Sequence, residues 1–375
     1  MAVTAQHTVR DKNLPGSVQE FLKSVLNLEE ISAILVPQHM PMKNAVMPAL
    51  ISDPEKMADA DPLTPSFPVN SAKLVSRLTR KKTNEKIAVV LRPCEIRAFI
   101  ELIKLNQGNA DEIIIMGVDC LGAYSNKVYN DMASQDPGML SEFSKNILSG
   151  KEDSNLASAC GVCEHLEPTG ADIIIGLYGM DTDSAFLVKS MTDAGDAILD
   201  TLNLSSSEDP KLRKQILEAL ISNRTSARDK MFEQTEESIN SIEKLSTYLA
   251  NCVNCYNCRV ACPVCYCKEC VFVTDVFNHD PVQYLQWSKN KGAIKMPTDT
   301  IFFHMTRIAH MSTACIGCGQ CSNACPNDIP LTELFRTVSR RTQASFDYEA
   351  GRSVDQKPPL SEFKEDEYGE VVGID

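Results

Sequence analysis

Cys252-x2-Cys255-x2-Cys258-x3-Cys262-Pro263 and Cys315-x2-Cys318-x2-Cys321-x3-Cys325-Pro326 are two copies of one four-cysteine run, each closed by proline. In the bacterial ferredoxin signature, three closely spaced thiolates wrap one cubane, and the cysteine before the proline ligates the other. The spacing therefore assigns one [4Fe-4S] cluster to Cys252, Cys255, Cys258 and Cys325, and a second to Cys315, Cys318, Cys321 and Cys262. Two C-x2-C pairs also make a tetrahedral zinc site, but zinc has no use for two proline-closed runs. Clusters so paired pass electrons readily, and this part of the chain reads as a wire.

Between the runs lie Cys265, Cys267 and Cys270. They are either extra ligands, for a further cluster or a single metal, or thiols packed beside the clusters. Cys258-x3-Cys262-x2-Cys265 also reproduces the radical-SAM spacing, but too little chain follows for the barrel such chemistry needs. His304 and His310, six apart in a helical stretch from Thr298 to His310, do not share a face, and packing beside a cluster explains them better than base chemistry. Phe303, Met305 and Met311 read as an apolar sheath.

Four of the fifteen cysteines lie elsewhere: Cys94, Cys120, Cys160 and Cys163. Cys94 follows the buried strand pattern Lys86–Leu91 and opens a helix from Glu95 to Leu105. Cys120 follows a second such strand, Ile113–Val118. Strand, helix and strand in that order make a βαβ unit and a parallel sheet, so both cysteines fall on the carboxyl edge, where open α/β sheets bind ligands. A helix N-terminus also favours a thiolate or an anionic cluster at Cys94. With the Cys160-x2-Cys163 pair, these four suffice for a third cubane. A zinc site and a redox dithiol at Cys160/Cys163 are the alternatives.

The elements around these residues complete an α/β pattern. Ser17-Val18-Gln19-Glu20 reads as a capping box for a helix carrying Phe21, Leu22, Val25 and Leu26. Ile34–Val36, Val46–Ile51 and Ala171–Gly176 read as strands, and Ala72–Leu78 as a helix. Helical patterns at Lys211–Ile221 and Ser226–Ala250 suggest an amphipathic spacer. The expected organisation is an α/β domain with a mainly parallel sheet over 1–203, a helical spacer over 204–250, a ferredoxin-like domain with two [4Fe-4S] clusters over 251–350, and an acidic tail over 351–375.

At 375 residues with 43% hydrophobic and 23% charged side chains, the chain has ample length for a core. Its N-terminus lacks the apolar run of a secretory signal and its longest apolar stretches fall short of a membrane span, which points to a reducing cytoplasm where dense cysteines bind metal. The net charge of −13 argues against nucleic acid.

Val90-Leu91-Arg92-Pro93-Cys94-Glu95-Ile96-Arg97-Ala98, Gly117-Val118-Asp119-Cys120, and Cys160-Gly161-Val162-Cys163 with Ala171-Asp172-Ile173 resemble the coenzyme F-420 hydrogenase/dehydrogenase beta-subunit family. Phe303-His304-Met305-Thr306-Arg307, the second ferredoxin run and Phe346-Asp347-Tyr348 resemble its formate-dehydrogenase beta-like members. The resemblance implies that Cys94, Cys120, Cys160 and Cys163 hold a [4Fe-4S] cluster, and that the α/β domain binds FAD and exchanges electrons with a soluble hydride carrier, a deazaflavin or another. It implies as partner a catalytic subunit of a formate dehydrogenase, hydrogenase or heterodisulfide-reductase-like complex. No G-x-G-x-x-G or Walker run occurs, so a flavin would rely on the family's own fold. Asn70, Lys73, Arg92 and Arg97 are its candidate contacts, with a purely structural role as the rival. The expected function is therefore an iron–sulfur flavoprotein subunit of an oxidoreductase. The competing reading is a cluster-only adaptor without flavin or soluble substrate.

Overall fold

Two consecutive runs of branched apolar residues, Lys86–Leu91 and Ile113–Val118, are buried on both faces as strands covered by helices on each side must be. They form the centre of an eight-stranded sheet in this computed structural model, which describes residues 3–41, 45–135, 137–151, 153–277, 279–294 and 299–362. The strands are β1 (Thr4–Thr8), β2 (Ile31–His39), β3 (Val46–Ile51), β4 (Lys86–Leu91), β5 (Ile113–Val118), β6 (Ile173–Gly176), β7 (Ala185–Ser190) and β8 (Ser205–Ser206), in the spatial order β3-β2-β4-β5-β6-β7-β1-β8. The four central strands β2, β4, β5 and β6 run parallel. The outer strands are antiparallel to their neighbours. The α/β class with a parallel centre thus holds, and tight connections add antiparallel edges to it.

Helices α1 (Leu14–Leu26), α2 (Ala72–Leu78), α3 (Pro93–Lys104), α4 (Asn126–Gln135), α5 (Pro137–Leu148), α6 (Ser158–Gly161) and α7 (Asp193–Leu202) accompany the sheet. The capping box expected at Ser17 is not the start of α1. Asn13 caps it, accepting from the Gly16 amide, and Pro15 sits in the first turn, while Ser17 is buried with its hydroxyl on the Asn13 carbonyl. The helix begins earlier because an Asn–Leu–Pro start already supplies cap and fixed φ. The α3 crossover joins β4 to β5, with Ile87 paired to Ile113 and Leu91 to Gly117.

The expected pair of spacer helices is one long helix, α8 (Lys211–Ile239), followed by the short α9 (Ile242–Tyr248). Ser222–Thr225, between the two expected helical patterns, contain no helix breaker and continue the helix. Beyond them lie α10 (Asn257–Ala261), α11 (Pro281–Lys291), α12 (Thr300–Met311), α13 (Gln320–Asn323) and α14 (Leu331–Ser345). The expected helix from Thr298 is α12; Thr298 itself lies outside the described residues, as does the acidic tail beyond Glu362. Among the described residues, no helix is long and apolar enough to cross a membrane.

Strand alternation sorts the core into two layers. Ile34, Val36, Ala88, Val90, Ile114 and Met116 face one side with α1. Leu35, Val89, Leu91 and Ile115 face the other, where the same apolar cluster continues through Phe99 of α3 into Phe303, Ile316, Leu334, Phe335 and Tyr348. The cysteine-rich part therefore shares a core with the sheet. A buried polar seam secures it: Arg97 donates to the carbonyls of Ile316 and Ala350, and Glu101 accepts from Tyr348 Oη and the Gly351 amide. Gly351 is at φ +78°, where an added Cβ would lie 2.4 Å from that of Arg97, so only glycine allows this approach.

α8 binds to the sheet through Asp119, at the end of β5. Its carboxylate accepts from the amides of Leu177 and Tyr178 and from Arg213 of α8, with Arg213 Nη2 at 2.8 Å, and both side chains are buried. Removing one partner of a buried ion pair costs about 3–5 kcal/mol, because the other charge stays buried. Asp119→Asn should therefore lower unfolding stability by about that much in denaturant titrations of the anaerobically purified protein. A loss under about 1 kcal/mol, the range of exposed pairs, would refute the brace.

Candidate metal centre

The four separated cysteines meet at the carboxyl edge. Cys94 stands in the first turn of α3, Cys120 just after β5, Cys160 in α6 and Cys163 two residues beyond it. Burial pushes the Cys94 thiol well up, and Cys120, Glu95, Cys318 and Cys163 push it further. Burial, then Cys120 and Cys163, raise Cys160 to about 12. Arg92, next to Cys94, offsets part of this at Cys120 and Cys160. Cys120 and Cys163 thus lie within electrostatic reach of both Cys94 and Cys160.

The two ferredoxin runs exchange their last cysteines in space. Cys252 and Cys258 have Cys255 and Cys325 as neighbouring thiols. Cys315, Cys318 and Cys321 all have Cys262 beside them. Asn254, Tyr256, Gly317 and Gly319, all at positive φ, turn the two loops between consecutive cysteines. Cys321 also lies 3.3 Å from the Thr332 hydroxyl at the start of α14.

Successive groups also adjoin. The Cys318 thiol is an electrostatic neighbour of Cys94. Gly319 passes so close to Ala159, adjacent to Cys160, that an added Cβ would stand 2.6 Å from the alanine Cβ. Between the two ferredoxin groups sits Arg307 of α12, 5% exposed. It donates to Cys258 Sγ at 3.1 Å and to the Cys258 carbonyl at 3.2 Å, and Cys262, Cys321 and Cys265 all raise its pKa. Phe335 stacks beneath it at 4.6 Å. The spatial order of the groups is therefore Cys94/Cys120/Cys160/Cys163, then Cys262/Cys315/Cys318/Cys321, then Cys252/Cys255/Cys258/Cys325.

His304, one turn before Arg307, is buried with Nε2 3.3 Å from Cys252 Sγ. Burial, and then the Arg307 charge, push it down to about 4, so it is neutral near pH 7. His310 is exposed. Phe303 and Met311 are buried in this wall, whereas Met305, expected in the sheath, is exposed on the outer face of α12. Of the extra thiols, Cys265 neighbours Cys262, Cys267 is exposed and Cys270 half-buried. Among the described residues, no three His, Cys, Asp or Glu side chains are grouped for a single metal ion.

The donor set suits a charged metal cluster. The described thiols are free of disulfides, and burial that disfavours thiolates is what a bound cation reverses. Next to them, Arg307 Nε and Arg92 Nη1 are buried N–H donors without a hydrogen-bond partner. Buried donors without partners are costly and point to an acceptor at the site.

The four candidate flavin contacts separate. Arg92 Nη2 donates to the carbonyls of Thr64 and Ser66, and its guanidinium lies 4.9 Å from the Phe67 ring centroid. Asn70 is buried in the same segment, its Oδ1 on the Ala72 amide and its Nδ2 unpartnered. Arg97 is occupied by the seam described above, and Lys73 donates to the Val260 carbonyl. A cavity of about 680 Å³ opens at the same carboxyl edge, lined by Asn13, His39, Asp61, Thr64, Tyr129 and Lys145 among others. Thr64 and Pro65 separate it from Arg92. Nothing in the sequence pattern singled out this lining, which comes from five distant segments.

The 4Fe-4S binding domain family matches residues 309–330, the segment holding Cys315 to Cys325. The F420-dependent formate dehydrogenase subunit beta of Methanocaldococcus jannaschii is 27% identical over 92% of this chain and 93% of its own length. The F420-dependent formate dehydrogenase 1 subunit beta of Methanococcus maripaludis is 28% identical over 73% of this chain and 75% of its own. The beta-subunit resemblance holds over nearly the whole chain. Among solved structures, a chain of the F420-reducing [NiFe] hydrogenase complex from Methanosarcina barkeri superposes with a TM-score of 0.45 at 16% identity, over 65% of this chain and 94% of that one. The 27% identical relative thus aligns across both the sheet and the cysteine-rich part.

Proposed function

We propose that the chain is the electron-transferring subunit of a formate dehydrogenase-like or hydrogenase-like oxidoreductase, exchanging electrons between a soluble hydride carrier at FAD and a catalytic partner subunit. The observation that carries this reading is the linear order of three four-thiol groups, beginning at the carboxyl edge of the sheet, where the 680 Å³ cavity also opens, and ending at Cys255, which is exposed. The names of the relatives support formate oxidation and a deazaflavin carrier of the F420 type.

In this reading Cys94, Cys120, Cys160 and Cys163 hold one [4Fe-4S] cluster, Cys262, Cys315, Cys318 and Cys321 a second, and Cys252, Cys255, Cys258 and Cys325 a third. When bound, FAD would supply the exchange between a two-electron hydride and single electrons, and the clusters would carry those electrons onward. The protein's share is placement and charge. Arg307 puts a cation between two groups, His304 offers an N–H to Cys252, and Phe303, Phe335 and Met311 keep water away. Asn70 Nδ2 and Arg92 Nη1 are buried donors without a partner, with Thr64 and Pro65 between Arg92 and the cavity. The cavity volume lies within the range of cofactor sites.

The cluster-only adaptor has one observation in its favour: the cations around the cavity, Lys12 and Lys145, are already paired with Asp183, and His39 with Asp61, which leaves no unpaired cation among the described residues there for a pyrophosphate. Metal and flavin analysis after anaerobic purification separates the readings. The expected result is about twelve irons per chain, from three cubanes of four, with one acid-released FAD. Full iron without flavin would select the adaptor, and zinc alone would overturn both.

A further inference from the structure

A groove of about 560 Å³ between α2 and the loop after α10 is lined by Lys73, Arg77, Arg80, Arg259 and Lys268, and by no carboxylate. That is unexpected in a chain with 50 acidic and 37 basic residues. Among the described residues none of these cations forms a salt bridge with a carboxylate: on Lys73 the Cys262 and Cys265 thiols act attractively and Arg259 and Arg77 repulsively, and Arg259 Nε is buried without a partner. Five cations gathered without a carboxylate repel one another, a cost in stability that a ligand of opposite sign would offset.

Cys265 and Cys267 line the same groove, and the Cys262 thiol lies within electrostatic reach of Lys73. In its middle, Val260 is 66% exposed and Tyr266 39% exposed. Lys73 and Arg77 stand one helical turn apart on α2, facing Arg259 and Lys268 across the apolar pair. A cationic rim around an exposed apolar centre is the anatomy of a protein–protein contact, whereas a small anion needs donors converging on one point.

We propose that this groove docks an acidic one-electron carrier protein of the iron–sulfur class, which exchanges electrons with the cluster held by Cys262, Cys315, Cys318 and Cys321. The proposal rests on the cluster reading above and adds a second port to it. One electron leaves the reduced cluster and enters the oxidised carrier, or the reverse, and no bond or proton moves. Charge on the rim sets the encounter rate and its salt dependence, and Val260 and Tyr266 form the dry centre.

The test is stopped-flow oxidation of the dithionite-reduced, anaerobically purified protein by a small acidic ferredoxin, over a range of salt. Arg77 and Arg80 are exposed, so the Arg77→Glu/Arg80→Glu double variant leaves the core intact. Native protein should react with a rate constant falling steeply with salt. The double variant should be at least about tenfold slower at low salt and nearly salt-independent, within the usual span of electrostatic steering. Its cluster EPR signals and its oxidation by a small viologen dye should be unchanged. Equal ferredoxin rates in both proteins, with intact cluster signals, would overturn the docking site alone. Specific competition by inorganic pyrophosphate, beyond its ionic strength, would replace the carrier with a small-anion site. Absent cluster signals in the native protein would overturn the cluster reading and this port together.

Discussion

Replacing Cys94 by alanine should leave a protein with about eight irons per chain instead of about twelve, one cubane of four having been lost. The loss should fall on one EPR signal, with the two ferredoxin-type signals retained. Cys94 is the informative position because of where it stands. It opens α3 directly after the central strand β4, its thiol has Cys120 and Cys163 as neighbours, and it also adjoins Cys318 of the next group. If it ligates the first relay group, its removal isolates the cavity from the ferredoxin-type pair. Reduction by a hydride carrier should then stop while reduction of the remaining clusters by dithionite persists. Retention of all iron and all signals would refute the ligand set. Metal binding and folding are coupled, so Cys163→Ala, on the short turn after α6, provides a second test from the opposite wall. Loss of a different signal in the two variants would equally refute a shared cluster.

What was legible beforehand follows from how local each signal is. The central strands β4 and β5 and the helix α2 were readable to the residue, because continuous branched runs and a clean amphipathic turn leave no competing assignment. The strand β1, Thr-Ala-Gln-His-Thr, gave no such signal. Only Ala5 is buried, and its place between β7 and β8 is decided by partners about 180 residues away. β7 and α7 carried usable cues that went unread: a Phe-Leu-Val run, Thr192 capping onto the Gly195 amide, and Asn203 closing the helix in the left-handed region. The two proline-closed cysteine runs were legible from spacing, because a cubane fixes distances that short loops must satisfy, whereas spacing alone left Cys94, Cys120, Cys160 and Cys163 open between a cluster, a zinc site and a dithiol. The cavity and the basic groove were not, since both are made by segments that only the fold brings together. Arg307 is an intermediate case. Its position three residues after His304 places both on one face of α12, but the thiols they meet are about fifty residues upstream.

Arg307→Met should lower the reduction potentials of the two clusters proposed on the ferredoxin runs while leaving the one proposed on Cys94, Cys120, Cys160 and Cys163 unchanged. A reduced cluster carries one more negative charge than an oxidised one, so a nearby cation stabilises the reduced state and raises the potential. The guanidinium donates to Cys258 of one group and lies within reach of Cys262 and Cys321 of the other. It therefore acts on both, and more strongly on the one it touches. A unit charge at 4 Å is worth about 4 kcal/mol at an effective dielectric of about 20, before redistribution between two clusters and competing thiolates. A net effect of about 1–2 kcal/mol per cluster corresponds to ~40–90 mV for a one-electron couple at 59 mV per tenfold. Methionine preserves much of the packing against Phe303 and Phe335, and Arg307→Lys, which restores charge without the planar fork, should recover most of the shift. EPR-monitored redox titration of each cluster reads this directly. Unchanged potentials in Arg307→Met, or equal shifts in all three clusters, would show that the buried arginine packs the loops together without setting the electrical gradient along them.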